Sequence, residues 1–330
     1  MVASTSTEML SLGVAQGAIQ RFREFEKTHP SIDLSTATGR NVPADDPILS
    51  IAADALKSGR LKSEELRMLA FVRDLNREMF KAIDPQGQWS IKAWNKSEFE
   101  GQPQGGGVMS VLRGPVLEKA AVNMSVVWGP SYPSIEKEYS GQPYLAAGVS
   151  LIAHPFNPEG PIAHMNIRVL KVGTGEKSIY WMGGGGDLTP MQRYDEDTTL
   201  FHSAFRVACE SHRLGDYERY TKWCDEYFFI PHRGEIRGVG GIFFDYLKIE
   251  EDNDLELLLN VGQSFAHAFG EILSRRVATP FSDELKEKHL YWRARYAEFN
   301  LVHDRGTRFG LMSGGNTEAI FASLPPVVKW

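Results

Sequence analysis

An α+β fold built on an antiparallel sheet is predicted by three features of the sequence. Two stretches carry an apolar face that alternates with a face bearing polar residues. Ala163, Met165, Ile167 and Val169 interleave with Ile162, His164, Asn166 and Arg168; Val149, Leu151 and Ala153 interleave with Ser150, Ile152 and His154. Period two is the signature of a strand with two different faces. Two other stretches repeat every three or four residues: Met68, Val72, Leu75, Met79 and Ile83, then Leu258, Val261, Phe265, Phe269 and Ile272. Each makes the apolar stripe of an amphipathic helix. The helical stretches gather at the start and between groups of strands. Strict β-α-β alternation is missing, which favours an antiparallel sheet over a parallel one.

In chain order, residues 1–8 are expected to be a disordered tail and residues 9–330 one domain. Residues 41–47, rich in Pro and Asp, are expected to link two helices. Asp195 and Asp197 stand where a helix running to about His212 would begin, a position that favours acidic side chains. Residues 239–247 and 296–303 are expected to be strands.

The chain has 330 residues, a net charge of −6 and two cysteines, Cys209 and Cys224. The negative balance without a basic tail argues against nucleic acid as a partner. The longest apolar runs are too short to insert in a membrane. The first eight residues have neither a basic nor an apolar leader segment, and two structural thiols suit a reduced compartment, so a cytoplasmic location is expected.

Three constellations bear on chemistry. A hairpin through residues 155–161 would place Ser150, His154, His164, Asn166 and Arg168 on one surface. Histidine and arginine there suit proton transfer and carboxylate binding, although a solvated sheet face would carry polar residues too. WMGGGGDLTP (181–190) either makes a tight turn, with Asp187 capping it, or lets the backbone approach a flat ligand with Asp187 beside it. Arg233, Arg237, Arg295, Arg305 and Arg308 lie around glycine-containing turns, where several could hold a polycarboxylate. His154, His164, His202 and His232 lack the close spacing of a metal motif.

At these residues the chain resembles the oxygen-dependent coproporphyrinogen III oxidases, in a short bacterial-like form. The motifs are EKAAVNMS (118–125), GVSLIAHPFNP (148–158), HMNIR (164–168), WMGGGGDLTP, KWCDEYFFIPHRGE (222–235), RGVGGIFFD (237–245), RYAEFNLVHDRGTRFGL (295–311) and SLPPVVKW (323–330). The resemblance implies a large curved antiparallel sheet flanked by helices on both faces, and a homodimer joined through residues 296–330. It implies that two propionates of coproporphyrinogen III become vinyl groups in haem biosynthesis, giving protoporphyrinogen IX. O2 would be the co-substrate, with no organic cofactor. It assigns His164, Asp187 and Arg168 to catalysis, with Asp187 reaching the pyrrole N–H groups. Ser150, Asn166, Ile167, Arg168, Gly314 and Gly315 match substrate-binding positions; Arg233, Arg237, Arg305 and Asn316 join them as candidates. Asn316 stands where bacterial members carry Arg, which bears on one propionate contact. His154, His164, His202 and His232 match positions given in bacterial members to a divalent metal such as Mn2+; animal-type members are thought to work without one. A non-catalytic tetrapyrrole-binding protein and a metal-dependent hydrolase are the alternatives. Asp187→Asn is expected to cost turnover but little stability.

Overall fold

Seven antiparallel strands form the central sheet, and six of them follow one another as a meander. The computed structural model describes residues 13–133, 139–175 and 178–330; the expected tail at residues 1–8 lies outside them. Within the described residues, a helical stretch at 13–15 is followed by α1 (Ala18–Thr28), α2 (Leu34–Gly39), α3 (Pro47–Lys57) and α4 (Ser63–Ile83). Residues 41–46 link α2 to α3, and the Asp46 carboxylate accepts the Ile48 N–H at 2.9 Å to cap α3. The meander follows: β1 (Gln88–Asn95), β2 (Gly105–Arg113), β3 (Leu117–Gly129), β4 (Tyr144–Pro155), β5 (Ile162–Val172) and β6 (Ile179–Thr189).

Helix α5 (Asp195–Glu210) starts at the expected acidic residues, and α6 (Tyr217–Tyr227) follows it. A short hairpin, β7 (Phe229–Ile230) with β8 (Glu235–Ile236), precedes β9 (Gly241–Lys248), which pairs with β6 at the sheet edge. The chain continues through α7 (Glu256–Arg276), α8 (Asp283–Val302), α9 (Arg305–Met312) and α10 (Thr317–Ile320).

One face of the sheet is packed throughout. Val122, Met124, Val149, Leu151, Met165, Ile167, Val169 and Phe244 meet the predicted stripes of α4 and α7 in the main core. The other face is covered at its ends and at the β9 edge, where Phe243 packs with Tyr227, Phe228 and Phe299. At one end Tyr296 of α8, Ala319 of α10 and Ala322 pack on Met109, Ala121, Ile152 and Ile162. At the other, Val127, Tyr144, Leu170, Val172 and Trp181 pack together, with Phe309 of α9 against them. Between these clusters the sheet face is polar.

One expectation is corrected, and one of two open readings is ruled out. Residues 296–303 are not a strand but the end of α8. The buried positions His289, Arg293, Tyr296, Ala297 and Asn300 recur every three or four residues, but three of them are polar, so the apolar stripe was interrupted. The glycine run is not a turn either: Gly183–Gly186 lie inside β6, with β5 on one side and β9 on the other. Ladder bonds on both sides hold a stretch whose residues have little strand preference of their own.

Candidate functional site

Strand register, set by the buried apolar face, determines which polar side chains meet. Three cross-strand rows run across this face, and Ala121 and Ile152 of the first lie under the Tyr296, Ala319 and Ala322 cluster. The first runs Ala121, Ile152, His164, Asp187 and Gly241; the second Asn123, Ser150, Asn166, Gly185 and Phe243; the third Ser125, Gly148, Arg168 and Gly183. The predicted face of β4 and β5 is therefore present, with Ser150 exposed at its centre and His164, Asn166 and Arg168 half-buried. Gly148, Gly183 and Gly185 leave the floor beside these groups free of side chains. This opens a flat strip of backbone edged by hydrogen-bonding groups.

Asp187 is the most constrained of the predicted residues. It is 1% exposed. Arg237 donates to it through a fork, Nη2 to Oδ1 at 2.8 Å and Nε to Oδ2 at 3.0 Å, and His164 Nδ1 lies 3.1 Å from Oδ1. Burial alone would raise this carboxyl, but the Arg237 guanidinium and the His164 contact bring it below the ordinary aspartate range. An ionised carboxylate only accepts, so the His164 hydrogen at this contact sits on Nδ1. The other nitrogen, Nε2, is turned toward Asn166 Nδ2 at 3.4 Å. His164 thus presents one ring nitrogen to the strip while its other is fixed from behind, an arrangement suited to moving a proton.

Arg237 does not reach the strip as a ligand-binding group. It is 2% exposed, and its guanidinium carbon lies 3.9 Å from the ring centroid of Phe228, 4.4 Å from Tyr296 and 4.8 Å from Phe299. Its role is to neutralise Asp187. The side chain of Ile167 belongs to the opposite, core face. Arg233 spends its fork on Glu298, at 2.6 and 3.0 Å. Arg305 opens α9 with its guanidinium 5.0 Å over the Tyr227 ring. Gly314, Gly315 and Asn316 form the turn between α9 and α10. Asn316 caps α10 by accepting the Ala319 N–H at 2.9 Å, and Asn123 Nδ2 donates to the Ala319 carbonyl at 2.9 Å. The turn is thereby tied to the second row of the strip.

A surface depression of about 520 Å3, lined by Arg206, Arg213, Tyr217 and Arg219 among others, shares no residue with the strip. Arg206 is paired there with Glu210 and Glu218, and Arg213 with Asp254. The strip is the better candidate because an arginine, a fixed histidine and bare backbone meet on it.

Comparison with known proteins agrees with the geometry. The sequence profile of the family described as coproporphyrinogen III oxidase matches residues 67–330. Two curated relatives, from Rickettsia bellii strains OSU 85-389 and RML369-C, are each named oxygen-dependent coproporphyrinogen-III oxidase. Each is 45% identical over 240 residues, covering 71% of this chain and 84% of the relative. The chain belongs to the coproporphyrinogen III oxidase family.

Within this chain the four histidines considered for a metal are not gathered. His154 is buried, with Nε2 2.9 Å from the Ser323 carbonyl. His164 faces Asp187. On α5, His202 holds Tyr217 Oη at 2.8 Å and the Val239 carbonyl at 2.9 Å. His232, on the β7–β8 hairpin, contacts His303 and Glu298, each at 3.0 Å. Among the described residues no three His, Cys, Asp or Glu side chains converge as a metal site, so the donor set does not fit a shared ion.

His154 carries a second consequence. Burial pushes it well below the ordinary histidine range despite the Ser323 carbonyl, with Arg293 and Lys119 adding to the effect. His289 is lowered in the same way by burial, Arg293 and Lys286. The unfolded chain takes up protons on these residues below about pH 6.5, whereas the folded chain refuses them. Stability is therefore expected to fall as pH drops below 6.5, by up to ~1.4 kcal/mol per pH unit for each histidine. Urea midpoints between pH 7.5 and 5.5 measure this, and His289→Gln should lessen the slope. A slope unchanged by that substitution would refute the assignment.

Asn123 and Asp245 are strip residues not anticipated from the sequence. Asn123 was accessible in principle, because Ala121, Asn123 and Ser125 alternate with Val122, Met124 and Val126. Asp245 was accessible in the same way, because Gly241, Phe243 and Asp245 alternate with the buried Ile242 and Phe244.

Proposed function

We propose that this chain catalyses oxygen-dependent oxidative decarboxylation of two propionates of coproporphyrinogen III to vinyl groups, in haem biosynthesis. The observation that carries the reading is the glycine-backed floor with His164, Asn166 and Arg168 along it. Such a surface admits a large ring system face-on and offers an arginine to a carboxylate. For each propionate, R–CH2–CH2–COO− + O2 + H+ gives R–CH=CH2 + CO2 + H2O2. A C–C and a C–H bond break, and two electrons pass to oxygen. One proton is taken up, and His164 Nε2 is the group facing the strip that can carry it. On this geometry Asp187 serves by fixing His164, since both its oxygens are already engaged. O2 is the co-substrate, and the reading requires no organic cofactor. The test is turnover of coproporphyrinogen with and without air, followed by the fluorescence of the oxidised product. Equal conversion without oxygen, or none with it, refutes the proposal; binding without turnover would favour a carrier.

Arg168→Ala is expected to raise KM tenfold or more, because removing one partner of a partly buried arginine–carboxylate contact costs about 2–5 kcal/mol. An unchanged KM would place Arg168 outside the substrate contact. Residues 9–330 are read as one domain acting in the cytoplasm; no described helix is long and apolar enough to cross a membrane. A homodimer through residues 296–330 is part of the same reading. Leu301, Val302, Leu311, Met312, Val327 and Trp330 are exposed there and would gain from cover, whereas Tyr296 is buried inside its own chain. Sedimentation as a monomer at micromolar concentration would count against the dimer.

A further inference from the structure

Strand β9 loses register with β6 at one point. Gly184 pairs with Phe244 and Met182 with Leu247, so Gly183 stands opposite two residues, Asp245 and Tyr246. This is a β-bulge, a device that re-aims a side chain. Tyr246 has φ 55°, a left-handed conformation that a bulky residue enters only under constraint. Asp245 closes the bulge by accepting the Tyr246 N–H on Oδ1 at 3.0 Å. Its other oxygen accepts Arg168 Nη2 at 2.6 Å, while Arg168 Nη1 donates to Asn166 at 2.8 Å. The pair passes over Gly183, where an added Cβ would lie 2.5 Å from Asp245 Oδ1 and 2.9 Å from Arg168 Nη2. Arg168 keeps further N–H groups, and its side chain remains 30% exposed.

We infer that Asp245 is a positioning residue, which holds Arg168 directed along the strip so that its remaining N–H groups receive a substrate carboxylate. An unbraced arginine must give up much rotamer freedom on binding, and a fixed guanidinium plane has already done so. The inference rests on the reading of Arg168 given above. It differs from that reading in assigning the orientation to a residue that itself need not touch substrate.

The experiment compares Asp245→Asn, Arg168→Ala and the double variant with coproporphyrinogen as substrate. Asp245→Asn should raise KM about tenfold and leave kcat within about threefold of the parent, and Asp245→Glu should recover part of the KM. The double variant should have the KM of Arg168→Ala alone, because the aspartate acts through the arginine. A role in the fold alone would instead add its effect to that of Arg168→Ala, and this outcome overturns the inference. So does an unchanged KM in Asp245→Asn. A lower KM also overturns it, since Asp245 would then be competing with substrate for Arg168. Should Asp245→Asn fail to fold, Asp245→Ser retains an acceptor for the Tyr246 N–H without the carboxylate and takes its place. If Arg168→Ala leaves KM unchanged, the reading of Arg168 fails; if only the Asp245 variants leave it unchanged, the inference fails alone.

Discussion

Asp187→Asn is expected to lower kcat by roughly a hundredfold, the scale of losing one electrostatic catalytic contribution. The cause lies in His164. The carboxylate holds the hydrogen on Nδ1 and thereby leaves Nε2 toward the strip; an amide can present its NH2 to Nδ1 and reverse that arrangement. Stability should fall as well, contrary to what the sequence suggested. Arg237 would keep its charge, 2% exposed, with no anion opposite, and breaking a buried pair by removing one partner costs about 3–5 kcal/mol. Asp187 has a lowered folded pKa. Its contribution is thus present above the unfolded aspartate value and is lost as pH falls through the folded one. At neutral pH the full difference should appear. Turnover within a few-fold of the parent in a folded variant would remove Asp187 from the mechanism.

Arg237→Met should destabilise the protein as strongly, by about 3–5 kcal/mol. Methionine fills the space among Phe228, Tyr296 and Phe299 but leaves the Asp187 carboxylate buried with only His164 beside it. The Asp187 pKa should rise in this variant, since the largest favourable influence on its charged form has gone. Combining Arg237→Met with Asp187→Asn should cost less than the two losses added together, because neither partner then leaves the other's charge unpaired. Urea midpoints of the four proteins measure the coupling. Simple additivity, or a loss below about 1 kcal/mol for Arg237→Met, would show that the pair contributes little.

Much of the fold was legible because it rests on unbroken patterns. Strands β4 and β5 alternate cleanly, and α4 and α7 carry uninterrupted stripes, so their buried faces follow from residue type alone. Helix α8 was not legible, since His289, Arg293 and Asn300 occupy buried positions where the period calls for apolar residues. The candidate site divides along the same line. Its β4–β5 half lies within one hairpin and follows from register. The Asp187–Arg237 pair joins residues 50 apart in sequence, with a helix pair and a hairpin between them. The family motifs named both residues but could not say that one is the other's counter-ion. Nor could they show that the four histidines look in different directions.

The glycines of β6 bear on how this site can change by descent. At Gly183 the obstacle to a side chain is the tips of Asp245 and Arg168, which can move aside; at Gly185 it is the Ile242 carbonyl, 2.1 Å from an added Cβ, and φ is +145°. A substitution at 183 would leave a folded molecule with a disturbed arginine, so on the proposed role of Arg168 selection would meet it through catalysis. A substitution at 185 would be met through loss of the folded protein itself. Drift toward altered substrate preference is therefore open at the first position and closed at the second, although they are only two residues apart.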